Sequence, residues 1–150
     1  MVRKDLIFAC RNLSSRSEAI DYIAAAADEA GLLLDAEEFK AAVYRREAEV
    51  STSIGYGIAI PHGKTDAVKE AFIAFLSPQK PFIWEETLND EIKGVFMIGV
   101  PASGTEMLHL KAISAISKKL LNDDFRTELL NAKTDEAAFN LLSDIDKSIK

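Results

Sequence analysis

The sequence predicts an α/β fold: a three-layer α/β/α sandwich in which helices cover both faces of a mixed, roughly five-stranded sheet. Two observations favour this class. Short, continuously apolar runs typical of buried strands intermix with longer segments whose apolar residues recur at helical spacing. In addition, no internal repeat or interdomain linker breaks the chain, so we expect residues 1–150 to form a single domain.

The first half of the chain predicts one strand and two helices. The apolar run Leu6–Leu13 is expected to be a short strand. Ser15 or Ser17 can cap a first helix, because a serine oxygen satisfies a free N–H group of the first turn. Asp35, followed three positions later by Glu38, has the spacing of a capping box and predicts the start of a second helix.

The second half predicts two buried strands and three helices. The strands are expected at Ala71–Ser77 and Gly94–Pro101, and the short run 81–84 cannot be assigned. The helices are expected over residues 103–123, 123–132 and 134–145. The longest of them carries an apolar stripe at Met107, Leu110, Ile113, Ala115, Ile116 and Leu120.

Composition excludes several classes of function. The net charge of −6 argues against nucleic-acid binding, which needs a basic face, and against anionic membrane surfaces. Cys10 is the only cysteine, so no internal disulfide can form and a reducing compartment is expected. We expect Cys10 to be a small core residue. With no signal peptide and no run of membrane-spanning length, the predicted location is the cytoplasm.

The stretch Ser51–Thr65, STSIGYGIAIPHGKT, superficially resembles a nucleotide-binding P-loop. That loop has four residues between its first glycine and the Gly-Lys-Thr, whereas five separate Gly57 from Gly63. Pro61 also lacks the N–H group that such a loop would point at phosphate. An NTPase is therefore excluded.

Metal and hydrolase sites are not supported either. His62, His109 and Cys10 are the only nitrogen or sulfur ligands of the usual kind, and no two have metal-ligand spacing. The G-x-S-x-G signature of a nucleophilic serine is absent. No metal and no cofactor are expected.

His62 is the strongest candidate for chemistry. Pro61 fixes the backbone before it, and Gly63 after it leaves room for a phosphate-sized group to approach the main chain. Lys64 adds a positive charge one residue further. A histidine held in this way just after a strand suits a neutral imidazole that attacks an anionic group.

The segment RREAEVSTSIGYGIAIPHGK resembles the type 2 enzyme IIA domains of the bacterial phosphoenolpyruvate-dependent sugar phosphotransferase system (PTS). This is the fructose/mannitol class, including its nitrogen-regulatory relatives. The resemblance extends over essentially the whole chain, with the strand ending at Val100-Pro101 and His109 in a long helix matching the second half of such domains.

The resemblance implies a set of roles. His62 would accept a phosphoryl group from phospho-HPr on its outward-facing nitrogen and pass it to a IIB domain, without a metal. Arg46, sixteen residues upstream, and His109 would lie beside it, and Gly63 and Lys64 would support phosphoryl binding. The sugar would contact the IIC membrane permease and not this domain.

Other residues of the segment are expected to have lesser roles. Arg45 is interpreted as a surface residue, and Ser51 and Thr52 as hydroxyls that satisfy the backbone of a turn. An apolar patch around His62 would exclude water when a partner docks, with Ile54, Tyr56 and Ile58 as candidates, some of which could be buried.

Three functions remain open from sequence. The first is phosphoryl transfer in sugar uptake. The second is a regulatory protein of the same fold, phosphorylated on His62 but acting through other partner proteins. The third is an interaction domain that is never phosphorylated, since fold alone does not determine chemistry; the presence of His62, Arg46 and His109 argues against it.

Overall fold

The computed structural model describes residues 1–103 and 107–149. The strands of this part are β1 (Val2–Arg11), β2 (Ser53–Gly55), β3 (Ile58–Ala59), β4 (His62–Lys64), β5 (Phe72–Pro78), β6 (Phe82–Ile83), β7 (Glu91–Ile92) and β8 (Gly94–Val100). The helices are α1 (Arg16–Glu29), α2 (Ala36–Glu49), α3 (Leu108–Leu120), α4 (Asp123–Asn131), α5 (Asp135–Leu142) and α6 (Ile145–Ile149). The helix expected over residues 103–123 includes 104–106, which lie outside the described residues.

A mixed sheet of six strands forms the middle layer. Its order is β1-β5-β8-β3-β2, with β4 also paired to β8. Strands β3 and β4 both run parallel to β8, at opposite ends of it, while β5 occupies its other edge in antiparallel orientation. The six strands therefore fill five places across the sheet, and the predicted mixed, roughly five-stranded architecture is confirmed. Strands β6 and β7 form a separate antiparallel ribbon.

Two hydrophobic cores lie on opposite faces of this sheet. Alternate residues of β5 divide between them: Phe72 and Leu76 pack with α1 and α2, whereas Ile73 and Phe75 pack with the C-terminal helices. Every residue of β5 and β8 is buried, as expected for central strands covered on both faces. The α/β/α sandwich is thus a consequence of two buried strands that need helices above and below.

Local capping chemistry sets the start of the first two helices. Ser15 accepts a hydrogen bond from the N–H of Glu18 and caps α1. Asp35 accepts one from the N–H of Glu38 and caps α2, as predicted. Gly31, just beyond α1, has a φ of +79°, a conformation that favours glycine.

The free edge of β1 is closed by acidic side chains of the C-terminal helices. The Asp135 carboxylate accepts the Ala9 N–H at 2.8 Å, and Asp146 accepts the Met1 ammonium at 2.8 Å. Such contacts occupy edge groups that would otherwise be available to another chain. At the end of β1, Cys10 is half-buried with a φ of 57°, and its thiol lies 3.6 Å from the Ala132 carbonyl. The expectation that Cys10 is a core residue is therefore wrong, because the positive φ at Cys10 falls where the pairing of β1 with β5 shifts register, between Phe8 and Arg11.

The segment before His62 divides into shorter strands than the sequence suggested. Tyr56 and Gly57, with φ of 60° and 78°, form the two-residue turn between β2 and β3, and positive φ at both positions matches a type I′ hairpin turn. Strand β3 ends at Ala59. His62 was expected just after a strand, but it is the first residue of β4 and pairs with Ile98 of β8.

Candidate functional site

Helix α2 lies close to β4 because two facing residues of the sheet are glycines. Gly63 is in register with Gly99 of β8. A Cβ at position 63 would lie 3.0 Å from the Phe39 ring, and one at position 99 would lie 2.5 Å from the Phe72 ring. The two phenylalanine rings fill this space, with centroids 5.7 Å apart. The glycine pair therefore lets α2 approach the strand that carries His62.

The His62 ring is held through one nitrogen. Its Nδ1 lies 3.0 Å from the Ile60 carbonyl oxygen, which can only accept, so Nδ1 carries the proton and Nε2 has the free lone pair. Burial lowers the pKa of His62 and the positive charge of Arg46 lowers it further; these effects outweigh the Ile60 hydrogen bond and the charge of Glu47. The ring is therefore neutral at pH 7 and nucleophilic at Nε2.

His109, on α3, lies opposite His62. The ring centroids are 6.0 Å apart and the planes differ by 29°. Burial lowers the pKa of His109, as do the Lys64 charge and His62. The His109 Nδ1 is buried, and none of the residues that the structure describes provides it with a hydrogen-bond partner. The pair thus consists of two neutral imidazoles that lie near the positive charges of Arg46 and Lys64.

A cavity of about 300 Å³ opens between α2, β4 and α3. It is lined by Ala42, Arg45, Arg46, Glu49, His62, Gly63, Lys64 and His109. Three of these side chains are cations and one is an acid, so the cavity is suited to an anionic group. Arg46 is half-buried and its Nη1 donates to the Val50 carbonyl at 2.8 Å, which bends the side chain back along the end of α2.

Arg46 and His62 also line a second, smaller cavity of about 150 Å³. Its remaining lining residues are Ser51, Thr52, Ser53, Ile54, Ile60 and Ile113. His62 therefore lines both a cavity with three cationic side chains and one whose other lining is mainly apolar or hydroxyl-bearing. Residues 51–54 line the smaller cavity together with His62, so a shift of this segment would change the surroundings of the ring.

The structure brings all five predicted site residues together around the larger cavity: His62, His109, Arg46, Gly63 and Lys64. Their roles in transfer stay a prediction. Gly63 is buried beneath α2, so packing alone already requires a glycine there. Arg45 is exposed, as expected, yet it lines the same cavity, a position that sequence could not give.

The candidate docking residues divide between surface and core. Ile54 is 42% exposed and Tyr56 is 61% exposed, whereas Ile58 is fully buried against β8. Ile54 and Tyr56 remain candidates for a partner surface, and Ile58 does not. Arg126 of α4 lies 4.3 Å above the Tyr56 ring and holds it from one side.

Glu47 was missed by the sequence interpretation. It follows Arg46 on α2 but points inward and is only 5% exposed. It accepts hydrogen bonds from the backbone and hydroxyl of Thr52 and from the indole of Trp84. The sequence shows only an acid next to a candidate arginine. Its burial depends in part on Trp84, which is 37 residues away.

The described residues include neither a membrane-spanning helix nor a metal-binding cluster. No helix within 1–103 and 107–149 is both long and apolar enough to cross a membrane. Within the same ranges, no group of three or more His, Cys, Asp or Glu side chains is placed to hold a metal ion.

Comparison with known families identifies the family of the chain. Residues 1–145 match the model of the family described as phosphoenolpyruvate-dependent sugar phosphotransferase system, EIIA 2. The chain belongs to this family. It is thereby a phosphotransferase-system component of the fructose/mannitol type, as the motif around His62 indicated.

Relatives of this EIIA chain include separate proteins and parts of larger ones. It is 34% identical over 132 residues to the PTS system fructose-specific EIIA component of Haloferax volcanii, covering 88% of this chain and 85% of that protein. It is 35% identical over 138 residues to the fructose-specific EIIABC component of Bacillus subtilis, covering 91% of this chain. It spans only 22% of that longer relative.

Solved structures share the fold of this EIIA chain. The nitrogen regulatory protein IIA-Ntr of Neisseria meningitidis matches with a TM-score of 0.83 at 23% identity, over 94% of this chain and 95% of that one. Enzyme IIAMTL of Escherichia coli, determined in complex with phosphorylated enzyme IIBMTL, matches with a TM-score of 0.81 at 20% identity, over 95% and 99%. At these identities the likeness supports the sandwich architecture and not a particular partner.

Proposed function

We propose that this EIIA chain is a phosphoryl carrier in bacterial sugar uptake. In this proposal, residues 1–150 act as one cytoplasmic domain that takes a phosphoryl group from phospho-HPr on His62 and passes it to a IIB domain. The observation that carries the proposal is the His62 geometry. Its Nδ1 is bonded to the Ile60 carbonyl, which leaves Nε2 as a neutral nucleophile on a cavity lined by cations.

Transfer at this site needs no separate proton donor. The Nε2 lone pair of His62 forms the new P–N bond while the P–N bond in phospho-HPr breaks. The donor ring, protonated on its other nitrogen, takes the electrons of the broken bond and leaves as a neutral imidazole. His62 keeps its Nδ1 proton and becomes a phosphorylated imidazolium, whose charge the Ile60 carbonyl stabilises. The reverse steps on a IIB nucleophile return His62 to its starting form.

Electrostatics supplies most of the catalysis in such a reaction. The phosphoryl group in transit is loose and anionic, so positioning and positive charge stabilise it and no metal ion is needed in the proposed step. Arg46 offers a planar fork that matches phosphoryl oxygens, and Lys64 adds a point charge on the same cavity. His109, 6.0 Å from His62 between ring centroids, can donate a hydrogen bond to a phosphoryl oxygen.

The IIB acceptor is supported by two of the relatives. One bears an EIIABC name, and one structure holds an IIA protein together with phosphorylated IIB. On this chain the exposed Ile54 and Tyr56 would contact the partner and exclude water from the phosphohistidine. The sugar would meet a IIC permease in the proposed pathway, and not this chain.

The test is phosphorylation in a defined mixture. The purified protein is incubated with phosphoenolpyruvate, enzyme I and HPr, and incorporated phosphate is measured before and after acid treatment. One acid-labile phosphate per chain is expected. His62→Ala must abolish it, whereas His109→Gln, the matched histidine substitution, should still be labelled at a lower rate. Persisting label on His62→Ala would overturn the assignment. Adding a panel of purified IIB domains would then identify the acceptor.

A regulatory role is the second candidate. The similarity to IIA-Ntr of Neisseria meningitidis, at a TM-score of 0.83, is the observation that favours it. A regulator would take phosphate on the same His62 but bind other proteins. Affinity capture with the phosphorylated and unphosphorylated chain distinguishes the two: recovery of a kinase or channel without any IIB domain supports regulation.

A further inference from the structure

Glu47 is a carboxylate in the interior of the protein. It lies on α2 between the site-lining Arg46 and the exposed Ala48, and its side chain is turned into the sheet side of the helix. Only 5% of the residue is exposed. A buried carboxylate is costly unless its oxygens accept hydrogen bonds from the protein, so its partners identify what the residue holds.

All of its contacts are donors. The hydroxyl of Thr52 donates to Oε1, and the Thr52 N–H donates to Oε2 at 3.3 Å. The Trp84 indole N–H also donates to Oε2, at 3.2 Å, and the Arg16 guanidinium lies 3.9 Å away. An ionised carboxylate, which can only accept, fits this set. Glu47 thus ties Thr52 to helix α2 at two points.

The connection continues from Thr52 to His62 through the backbone. The Thr52 carbonyl accepts the Ile60 N–H at 3.0 Å, and the Ile60 carbonyl accepts the His62 Nδ1–H at 3.0 Å. Glu47, Thr52, Ile60 and His62 therefore form an uninterrupted chain of hydrogen bonds, here called the Glu47 relay. Every link in it except Glu47 belongs to a strand of two or three residues or to the chain beside one.

We propose that Glu47 is a positioning residue for His62: through the Glu47 relay it holds the Ile60 carbonyl where it keeps the Nδ1 proton and leaves Nε2 free to accept a phosphoryl group. The predicted effect of Glu47 on the rate of phosphoryl transfer rests on the proposed function. Its predicted effect on the position of the proton on the His62 ring does not.

The surrounding structure explains why such an anchor is needed. Strand β2 is an edge of the sheet, pairs only with the two residues of β3, and has exposed residues at Ile54 and Gly55. Short edge strands with few backbone contacts are locally weak. Helix α2 packs firmly by Phe39 and Val43, both fully buried, so Glu47 transmits the rigidity of α2 to the segment that carries Thr52.

The relay also gives the neighbouring residues of α2 separate tasks. Arg45 and Arg46 face the cavity, while Glu47, about 100° further around the helix, faces inward. One turn of helix therefore presents cations to the anionic group and, on its other side, fixes the nucleophile that receives it. A change in the relay acts on the ring of His62 without removing any cation from the cavity.

The test measures the His62 tautomer directly, in the purified chain without any phosphoryl donor. Nitrogen-15 NMR of the histidine rings distinguishes Nδ1–H from Nε2–H. The wild type is expected to show His62 protonated at Nδ1. In Glu47→Gln the Nδ1–H signal should be lost in favour of a mixture with Nε2–H. Glu128→Gln, an exposed glutamate on α4, is the matched control and should keep the wild-type signal.

A second variant tests the same proposal in case the Glu47→Gln protein does not fold. Thr52→Val removes only the hydroxyl link at nearly constant volume, and it should shift the His62 tautomer in the same direction by a smaller amount. Both variants should accept phosphate from phospho-HPr about 10- to 100-fold more slowly, by analogy with the loss of a hydrogen-bond partner of a metal-ligating histidine.

The outcomes separate the two proposals. If folded Glu47→Gln or Thr52→Val keeps the His62 Nδ1–H tautomer, the positioning role is overturned, even where the transfer rate falls. If the tautomer shifts as expected but the wild type takes no phosphate, the relay stands and the proposed carrier function fails.

Discussion

The imidazole rings of His62 and His109 face each other with centroids 6.0 Å apart and planes 29° from parallel. They come from different elements, β4 and α3, and both rings line the same cavity. An anionic group bound in this cavity would therefore lie next to both rings. The pKa of each is lowered, so neither repels the other at neutral pH.

The first prediction concerns this pair. His109→Ala should lower the rate of phosphoryl acceptance by about 10²-fold, because one donor to the transferring group is lost. The stoichiometry should remain one phosphate per chain, since His62 is intact. Labelling with phospho-HPr, quenched at a series of times, measures the rate of acceptance. Mass spectrometry of the fully reacted protein measures the number of phosphates per chain. A variant that labels at the wild-type rate would exclude His109 from the transfer step.

The second prediction concerns pH. His62 must be neutral to accept, and its pKa lies below the usual 6.5, first through burial and then through the charge of Arg46. The acid limb of the acceptance rate should therefore lie below pH 6.5. Arg46→Gln removes a charge that lowers the pKa of His62, so its limb should move to higher pH, with a lower plateau rate as well.

Arg45→Gln provides the matched comparison for this experiment. It removes the adjacent positive charge from the same cavity, but Arg45 is not among the charges that shift the pKa of His62. Phospho-HPr is the donor in both assays, so its own pH dependence is the same for the two variants and cancels in the comparison. The prediction would be contradicted if the acid limb of the pH–rate profile stays in place in Arg46→Gln, or if it moves by the same amount in both variants.

The sequence was sufficient where the deciding interaction is local. The caps at Ser15 and Asp35 each satisfy an N–H three residues away, so local sequence predicted Asp35 directly and narrowed the first cap to Ser15 or Ser17. His62 could be singled out as a candidate from its immediate neighbours, whereas Arg46, sixteen residues upstream, became a candidate through the family resemblance. The buried strands β5 and β8 were visible because both faces of each are covered, which leaves an unbroken apolar run.

Features set by distant partners could not be predicted. The burial of Glu47 depends on Trp84, 37 residues away, and on a turn that brings Thr52 back to α2. Ile58 looked equivalent to Ile54, yet pairing of β3 with β8 buries one and leaves the other on the surface. For Gly63, the side chain of Phe39 explains the missing Cβ, and no spacing rule relates those two residues.

The third prediction tests the glycine pair beneath α2. Gly63→Ala would place a Cβ 3.0 Å from the Phe39 ring and 3.1 Å from Val43, which forces α2 away from β4. We expect a loss of about 1–3 kcal/mol in the free energy of unfolding, typical of overpacking a rigid core. Urea denaturation followed by circular dichroism measures it.

The control is a compensating change at Phe39. Phe39→Leu alone should destabilise by leaving space, whereas Gly63→Ala combined with Phe39→Leu should cost less than the sum of the two single changes. Contacting residues are expected to be non-additive in this way. Strict additivity would show that the Gly63 contact is not what limits the approach of α2.

The fourth prediction concerns the contact that closes the free edge of β1. Asp135 accepts the Ala9 N–H at 2.8 Å and binds the Arg11 guanidinium through both oxygens, at 3.1 and 2.8 Å. Burial raises the pKa of Asp135, but the Arg11 hydrogen bonds and the Ala9 N–H lower it more, so its pKa is below the ordinary value of 3.8. A carboxyl with a lowered folded-state pKa stabilises the fold fully above the unfolded value and loses that contribution as pH falls through the folded one.

Asp135→Asn should therefore lower the free energy of unfolding by about 1 kcal/mol at pH 7, a figure kept small because the side chain is 41% exposed. The difference from wild type should shrink as pH falls below 3.8, where the wild-type carboxylate also becomes protonated. Glu136→Gln removes an exposed acid from the same first turn of α5 and should change stability by only a few tenths of a kcal/mol. Equal effects of the two substitutions at pH 7 would mean that Asp135 acts only on the helix and not on the edge of β1.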